Sequence, residues 1–199
     1  MFWFDRLLAQ FFQTVQGYSP LGSGLRILPW TLAPMFIAPI AGALSDRIPA
    51  KMIIGTGLAM QAVALAWIGM VSEPDTPYSE LVVPFTLAGV GMAMFFAPVA
   101  NVVLSAVRPQ EEGIASGANN AIRELGGVFG VAVLASVFAN QGGYESGQAF
   151  VDGMNPAILI GAGVVALGSL AAFLIPSKRR AQEQAVEAGL PELALEEAA

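Results

Sequence analysis

Neither cysteine nor histidine occurs in the 199 residues. Without thiols there is no disulfide framework and no thiol nucleophile, and without imidazole the usual physiological proton carrier is missing. Any proton relay must therefore run on carboxylates. Charge is scarce as well: Asp, Glu, Lys and Arg make up 12% of the chain against 55% hydrophobic residues. With a mean hydropathy of +0.64, that balance excludes an ordinary water-soluble domain and reads as membrane-embedded. The net charge of −6 says little about partners, because several acids crowd into the stretch from Glu183 to Glu197. No nucleic-acid partner is expected. The chain also lacks a G-x-x-x-x-G-K-(S/T) phosphate loop, an H-E-x-x-H pair, a Cys/His cluster and any loop long enough for a catalytic domain. Neither an enzyme nor an ATP-driven pump is expected, and no metal or cofactor. A repeated acidic ring or glycine-rich selectivity sequence, which would mark an ion pore, is missing too.

What is present is a series of long apolar runs. A spanning helix needs about 20 mostly apolar residues to cross roughly 30 Å of hydrocarbon. Five segments meet that requirement, near 22–44, 51–71, 81–106, 114–139 and 156–175. Residues 1–16 would rise only about 24 Å as a helix and contain Asp5 and Arg6, so they read as the end of a sixth, truncated helix. Those two charges interrupt the first apolar run, and no cleavable signal peptide is expected. The fold class is all-α, a polytopic membrane bundle over residues 1–176, followed by a solvated, Ala- and Glu-rich tail over 177–199.

The connections orient the bundle. Arg47 and Lys51, then Arg108, then Lys178, Arg179 and Arg180 follow alternate spans, whereas Ser72 to Ser79 and Asn140 to Asn155 carry only acids, namely Glu73, Asp75, Glu145 and Asp152. Lys and Arg in short loops mark the cytoplasmic side, so the 42–51 turn and the C-terminal tail are expected there.

The chemistry must come from polar residues within the spans. The fifth helix carries Ser116, Asn119, Asn120, Arg123 and Glu124, then Gly126, Gly127 and Gly130. At 3.6 residues per turn, Asn119, Asn120, Arg123 and the three glycines share one broad stripe. Arg123 lies ten residues beyond Gly113, too deep for snorkelling alone, which points to a polar cavity or a partner helix. Two readings stay open: a functional cation, or a structural one bonded to carbonyls and Asn side chains beside a Gly126/Gly130 packing seam. Glu124 lies about 100° around the helix from Arg123 and is a weak candidate proton carrier. Gln10, Gln13 and Gln16 recur every three residues on the first helix and either line water or pack on another helix. The second helix carries Arg26 with Pro29, Pro34 and Pro39, which predict bends or breaks suited to a gate; prolines are also simply commoner in membrane helices. The third helix, with Gln61 as its one polar interruption, and the sixth are expected to be peripheral and lipid-facing.

Three ordered stretches carry a family resemblance: VQGYSPLGSGLRILP from Val15 to Pro29, PIAGALSDR from Pro39 to Arg47, and ASGANNAIRELGGVFG from Ala115 to Gly130. Together they resemble the C-terminal half of a major facilitator superfamily transporter, and more narrowly the fourteen-span EmrB/QacA-type drug:proton antiporters. The resemblance runs from about residue 7 to residue 175. It implies one six-helix half of a two-half fold, with the first, second, fourth and fifth helices lining a central cavity. The turn matches the family's G-x-x-x-D-R-x-G-(R/K)-(R/K) pattern at Gly42, Asp46, Arg47 and Lys51, and departs from it at Pro49 and Ala50. The resemblance further implies a gating role for that turn, with contacts made in only one of two rocking states. Against this stands the simpler reading of Asp46, Arg47 and Lys51 as topology determinants in water.

The function expected is secondary active transport at the plasma membrane, a proton-coupled export of lipophilic drugs or metabolites, with this chain as the C-terminal portion. The expected partners are the lipid bilayer, a small lipophilic substrate, protons, and a missing N-terminal half or a second copy. In the resembled family the titrating acid lies in the first half. The rival reading is an inactive truncated product or a non-transporting membrane scaffold.

Overall fold

The computed structural model describes residues 2–45, 47–105 and 107–174. Its elements are helical throughout: α1 (Phe2–Gln10), continued by a π turn over Phe11–Val15, α2 (Pro20–Ser45), α3 (Ala50–Val71), α4 (Tyr78–Ser105), α5 (Glu112–Gln141, entered through a short 3-10 turn at Pro109–Glu111) and α6 (Gly147–Phe173). Five of these, α2 to α6, are long and apolar enough to cross a membrane. The 22 residues of α3 rise about 33 Å, the depth of a hydrocarbon core.

Local chemistry sets the boundaries. Gly17 adopts φ 71°, a left-handed conformation that glycine enters without a Cβ penalty, and so reverses the chain between α1 and α2. Pro49 caps α3 at φ −52°; its ring fixes the torsion the turn needs and its missing N–H is no loss there. Ser146 caps α6 by accepting the Ala149 amide at 3.0 Å. That cap corrects the expected start of the sixth helix: α6 begins at Gly147, well before 156, because a serine N-cap outweighs the local polarity of 147–155. Asp152, assigned to a loop from sequence, is a helical residue that accepts a bond from Gln148 one turn earlier, at 2.9 Å. Of the bends or breaks expected in the second helix, no break occurs, since α2 runs continuously through Pro29, Pro34 and Pro39.

α3 is the centre of the bundle. It packs against both α4 and α6 while α2 packs on the far side of α4 and α5 on α6. Half of the most apolar stretch of α3 is buried, against 11% for α2 and 6% for the Pro109–Gln141 segment. The third helix, expected to be peripheral and lipid-facing, exposes a stripe through Met52, Val63, Trp67 and Met70, while its other side, with Ile53, Ala64, Leu65 and Ile68, is buried in the bundle. The uniformly apolar sequence hid this, because buried and lipid-facing sides of a membrane helix share one composition. The core joins α1 through Leu7, Leu8, Phe11 and Phe12 to Trp30, Phe85, Phe150 and Met154. Within it the Phe85 ring meets Phe12 and Trp30 edge-on at 6.1 and 6.3 Å, the arrangement that aromatic quadrupoles favour.

Close backbone approach holds the pairs together. A Cβ on Gly57 would lie 2.8 Å from the Gly91 carbonyl oxygen, and one on Gly91 would lie 2.5 Å from that of Gly57. Gly55 leaves room for the Phe173 ring, Gly89 for the Trp30 backbone, and Gly142 and Gly153 for each other. Side chains added at Gly126, Gly127 or Gly130 meet nothing within 4 Å, so the seam read from sequence has no partner helix among the described residues.

Gly91→Leu is expected to destabilise the chain by about 1–3 kcal/mol through overpacking, whereas Gly126→Leu leaves it within about 0.5 kcal/mol. Denaturation in mixed micelles, followed by loss of helical circular dichroism, distinguishes the two.

Candidate functional site

The polar stripe of α5 stands clear of its own bundle. Asn119 is half-buried and Asn120, Arg123 and Glu124 are exposed. The Arg123 guanidinium donates to Asn120 Oδ1 at 2.6 Å and comes within 3.7 Å of Glu124 Oε1. It also lies 5.9 Å from the Phe96 ring centre on α4, within cation–π range. Arg123 is thus tied to an Asn side chain one turn back, and its side chain remains 55% exposed. An ionised cluster facing hydrocarbon is costly, so this surface suits water or a second protein body. Apolar residues flank it, with Ile122, Leu125, Val128 and Phe129 all exposed.

At the opposite end from Arg47 and Lys51, a second polar group ties the 72–77 turn down. Gln16 donates to the Thr76 and Pro74 carbonyls at 2.9 and 3.4 Å, and Asn155 on α6 donates to the Ser72 carbonyl at 2.9 Å. Thr76 Oγ1 closes the turn from within, donating to the Val71 carbonyl and accepting the Glu73 amide, both at 2.7 Å. Beside it, the Arg26 guanidinium lies over the Tyr18 ring at 3.4 Å and 5.5 Å from that of Tyr78, and donates to the Gly22 carbonyl at 3.1 Å. Arg26 thus clamps the starts of α2 and α4. Gln10 and Gln13 stay exposed. The Gln16 amide bonds back to Phe11, an i−5 turn that swings its side chain off the side shared by the other two.

At the basic end, Gly42 and Lys51 are half-buried and Arg47 is exposed. The Arg47 and Ile48 amides both close on the Leu44 carbonyl, at 3.1 and 2.9 Å. Ser45 Oγ donates to the Gly42 carbonyl at 2.6 Å and accepts from Asn101 of α4 at 3.5 Å, the limit of a hydrogen bond. Asp46 lies outside the described residues, as does the tail from 175 onward.

The profile of the Major Facilitator Superfamily matches residues 6–197. The chain belongs to that superfamily. Among its relatives, the multidrug resistance protein Stp of Mycobacterium tuberculosis is 36% identical over 133 residues, covering 67% of this chain and 24% of Stp. The cephamycin export protein CmcT of Amycolatopsis lactamdurans is 33% identical, with 68% of this chain and 28% of CmcT covered. The multidrug export protein EmrB of Escherichia coli is 27% identical, with 75% and 29% covered. The matched stretch thus spans less than a third of each relative. Superfamily membership and five apolar helices of spanning length make this a multi-pass membrane protein, and its all-α architecture is a partial major facilitator bundle.

Several residues escaped sequence reasoning. Asn155 bonds to the turn after α3 and Asn101 to α2, and the one available signal was an amide side chain inside or at the end of an apolar run. The close-packed pair Gly57 and Gly91 looks like any other glycine pair until two helices are docked.

Replacing Gln16 and Asn155 together by Leu removes the two outside restraints on the 72–77 turn. At about 1 kcal/mol per net hydrogen bond, the Thr76 amide is expected to exchange with solvent at least about tenfold faster. Gln10→Leu should leave the rate unchanged.

Proposed function

We propose that the chain is the C-terminal half of a secondary transporter that exports lipophilic compounds in exchange for protons across the plasma membrane. The observation that carries this reading is an asymmetry of burial. α2 and α5 bear Arg26, Asn119, Asn120, Arg123 and Glu124, and they are also the two spans least buried against their own bundle. Arg26 is packed between the Tyr18 and Tyr78 rings, but Asn120, Arg123 and Glu124 on α5 stay uncovered, and a helix that leaves such groups uncovered suits the wall of a wet cavity shared with a second body. The names of Stp, EmrB and CmcT, each a drug-resistance or export protein, support export as the direction and drug-like molecules as the cargo.

In this reading residues 1–176 form the membrane bundle and 177–199 a cytoplasmic tail, with the Gly42–Lys51 turn on the same side. The second body is the missing half or a second copy, and it receives Gly126, Gly127 and Gly130. Exposed apolar side chains on α2, among them Leu25, Leu32, Met35 and Phe36, extend the same interface. Arg123 supplies fixed positive charge in the cavity, Asn119, Asn120, Gln10 and Gln13 line it, and Glu124 is the one carboxylate on α5 placed to exchange a proton with it. The wall is otherwise apolar, which suits substrates recognised by greasy surface rather than by a fixed set of polar contacts.

The turn then acts as a gate. A charge contact made by Asp46 and Arg47 in only one of two rocking states shifts their equilibrium by its difference in free energy, about 1–3 kcal/mol for ordinary couplings. Its test is proton-driven efflux of a lipophilic dye from cells producing this chain together with the second body that this reading requires. Asp46→Asn is expected to slow efflux about tenfold at equal membrane abundance, and collapsing the proton gradient is expected to stop it. Unaltered efflux in Asp46→Asn rejects the gating role, and efflux indifferent to the gradient rejects proton coupling.

A further inference from the structure

The bundle holds an apolar cavity of about 290 Å³ between its helices, with Trp30, Leu65, Phe95, Phe96 and Gly161 among its walls. It is about twice the size of the roughly 150 Å³ apolar cavity that holds benzene, which leaves room for a two-ring aromatic molecule. None of the polar α5 residues lines it. The Trp30 side chain is almost fully buried, while Phe95 and Phe96 are only half-buried, so the cavity is not sealed.

An amide side chain faces this space. Gln61 lines the cavity near the middle of α3 and hence near the bilayer midplane. Its amide makes no hydrogen bond to another described residue. An amide left unpaired in an apolar setting carries a free-energy cost that an occupant with a hydrogen-bonding group removes. The rings at the wall favour a flat, polarisable body through offset and edge-on contacts.

We propose that this cavity is a binding site, contained within the one half-bundle, for an uncharged two-ring aromatic molecule with one hydrogen-bond acceptor seated against the Gln61 amide. The site meets the α5 stripe only at Phe96, whose ring lies 5.9 Å from the Arg123 guanidinium, and it stands whether or not the chain exports anything.

The test uses the full 199-residue chain in lipid nanodiscs, carrying Trp3→Phe and Trp67→Phe so that Trp30 alone fluoresces. The probe is 2-acetylnaphthalene, with 2-ethylnaphthalene as the isostere that lacks the carbonyl. Partitioning into lipid quenches in proportion to probe concentration, whereas occupancy of a site saturates. Saturable quenching by the acetyl compound is expected. Gln61→Leu should weaken it about fivefold, the weight of one net hydrogen bond, and leave the ethyl compound unaffected. Gly161→Leu fills the space and should abolish saturation for both; a Cβ there meets nothing nearer than Leu134, at 3.9 Å, so the backbone accepts it. Leu65→Phe is a second filler, judged by the same readout should Gly161→Leu lose its helical circular dichroism. Quenching that stays linear, saturation unchanged in a folded filler variant, or equal effects of Gln61→Leu on both probes would overturn the proposal. So would saturation in detergent that disappears in nanodiscs, since acyl chains would then hold the cavity.

Discussion

Leucine packed on leucine gains little over leucine packed on a lipid tail, so helices in a bilayer associate where their backbones come close. The contact between Gly57 of α3 and Gly91 of α4, where a Cβ on either would strike the other's carbonyl, is the constraint on which the rest of this bundle depends. It fixes α3 against α4. α6 then docks on the other side of α3, with Phe173 over Gly55 and Ser169 Oγ donating to the Gly55 carbonyl at 2.8 Å. α2 reaches the bundle through Gly89 of α4, and α5 through the mutual approach of Gly142 and Gly153.

That order of attachment has a functional consequence. The helix with the most small-residue contacts carries almost no polar side chain, and the helix with the most polar side chains is the least buried of the five spans. α5 is pinned chiefly at its Gln141 end, where Phe138 packs on Phe150 at 5.1 Å. The rest of its length, with Arg123 and its neighbours, stays uncovered. We read this division as scaffold and working surface: α3 and α6 hold the half together, and α2 and α5 are left for a partner half and a cavity. The 72–77 turn is tied at one end of this scaffold by Gln16 and Asn155.

Much of this was legible before any coordinates. Twenty-residue apolar runs can be little else than spanning helices, and the motif stretches from Val15 to Pro29 and from Ala115 to Gly130 point to the superfamily that the profile match shows. What sequence did not yield was anything that depends on docking. Met52 and Ile53 are chemically alike, yet one is exposed and the other buried, because lipid and protein interior make the same demand on a side chain. Gly126 and Gly130 have the small-residue spacing of a packing seam but face open space here, whereas Gly57 and Gly91 lie on different helices and no spacing rule links them. The start of α6 was missed because polar residues at 147–155 read as loop, when Ser146 was already supplying the cap.

The central claim is that the α5 stripe meets water and a second protein body rather than lipid. Nitroxide labels placed singly along 114–139 test it most directly, since the chain has no cysteine to compete, by comparing relaxation by oxygen, which concentrates in lipid, with relaxation by a water-soluble nickel chelate. With the second protein body present, the account predicts high nickel accessibility at 119, 120 and 123, and low accessibility to both reagents further along the same stripe at 126 and 130, where that body covers it. Uniform oxygen accessibility around the whole helix would contradict it.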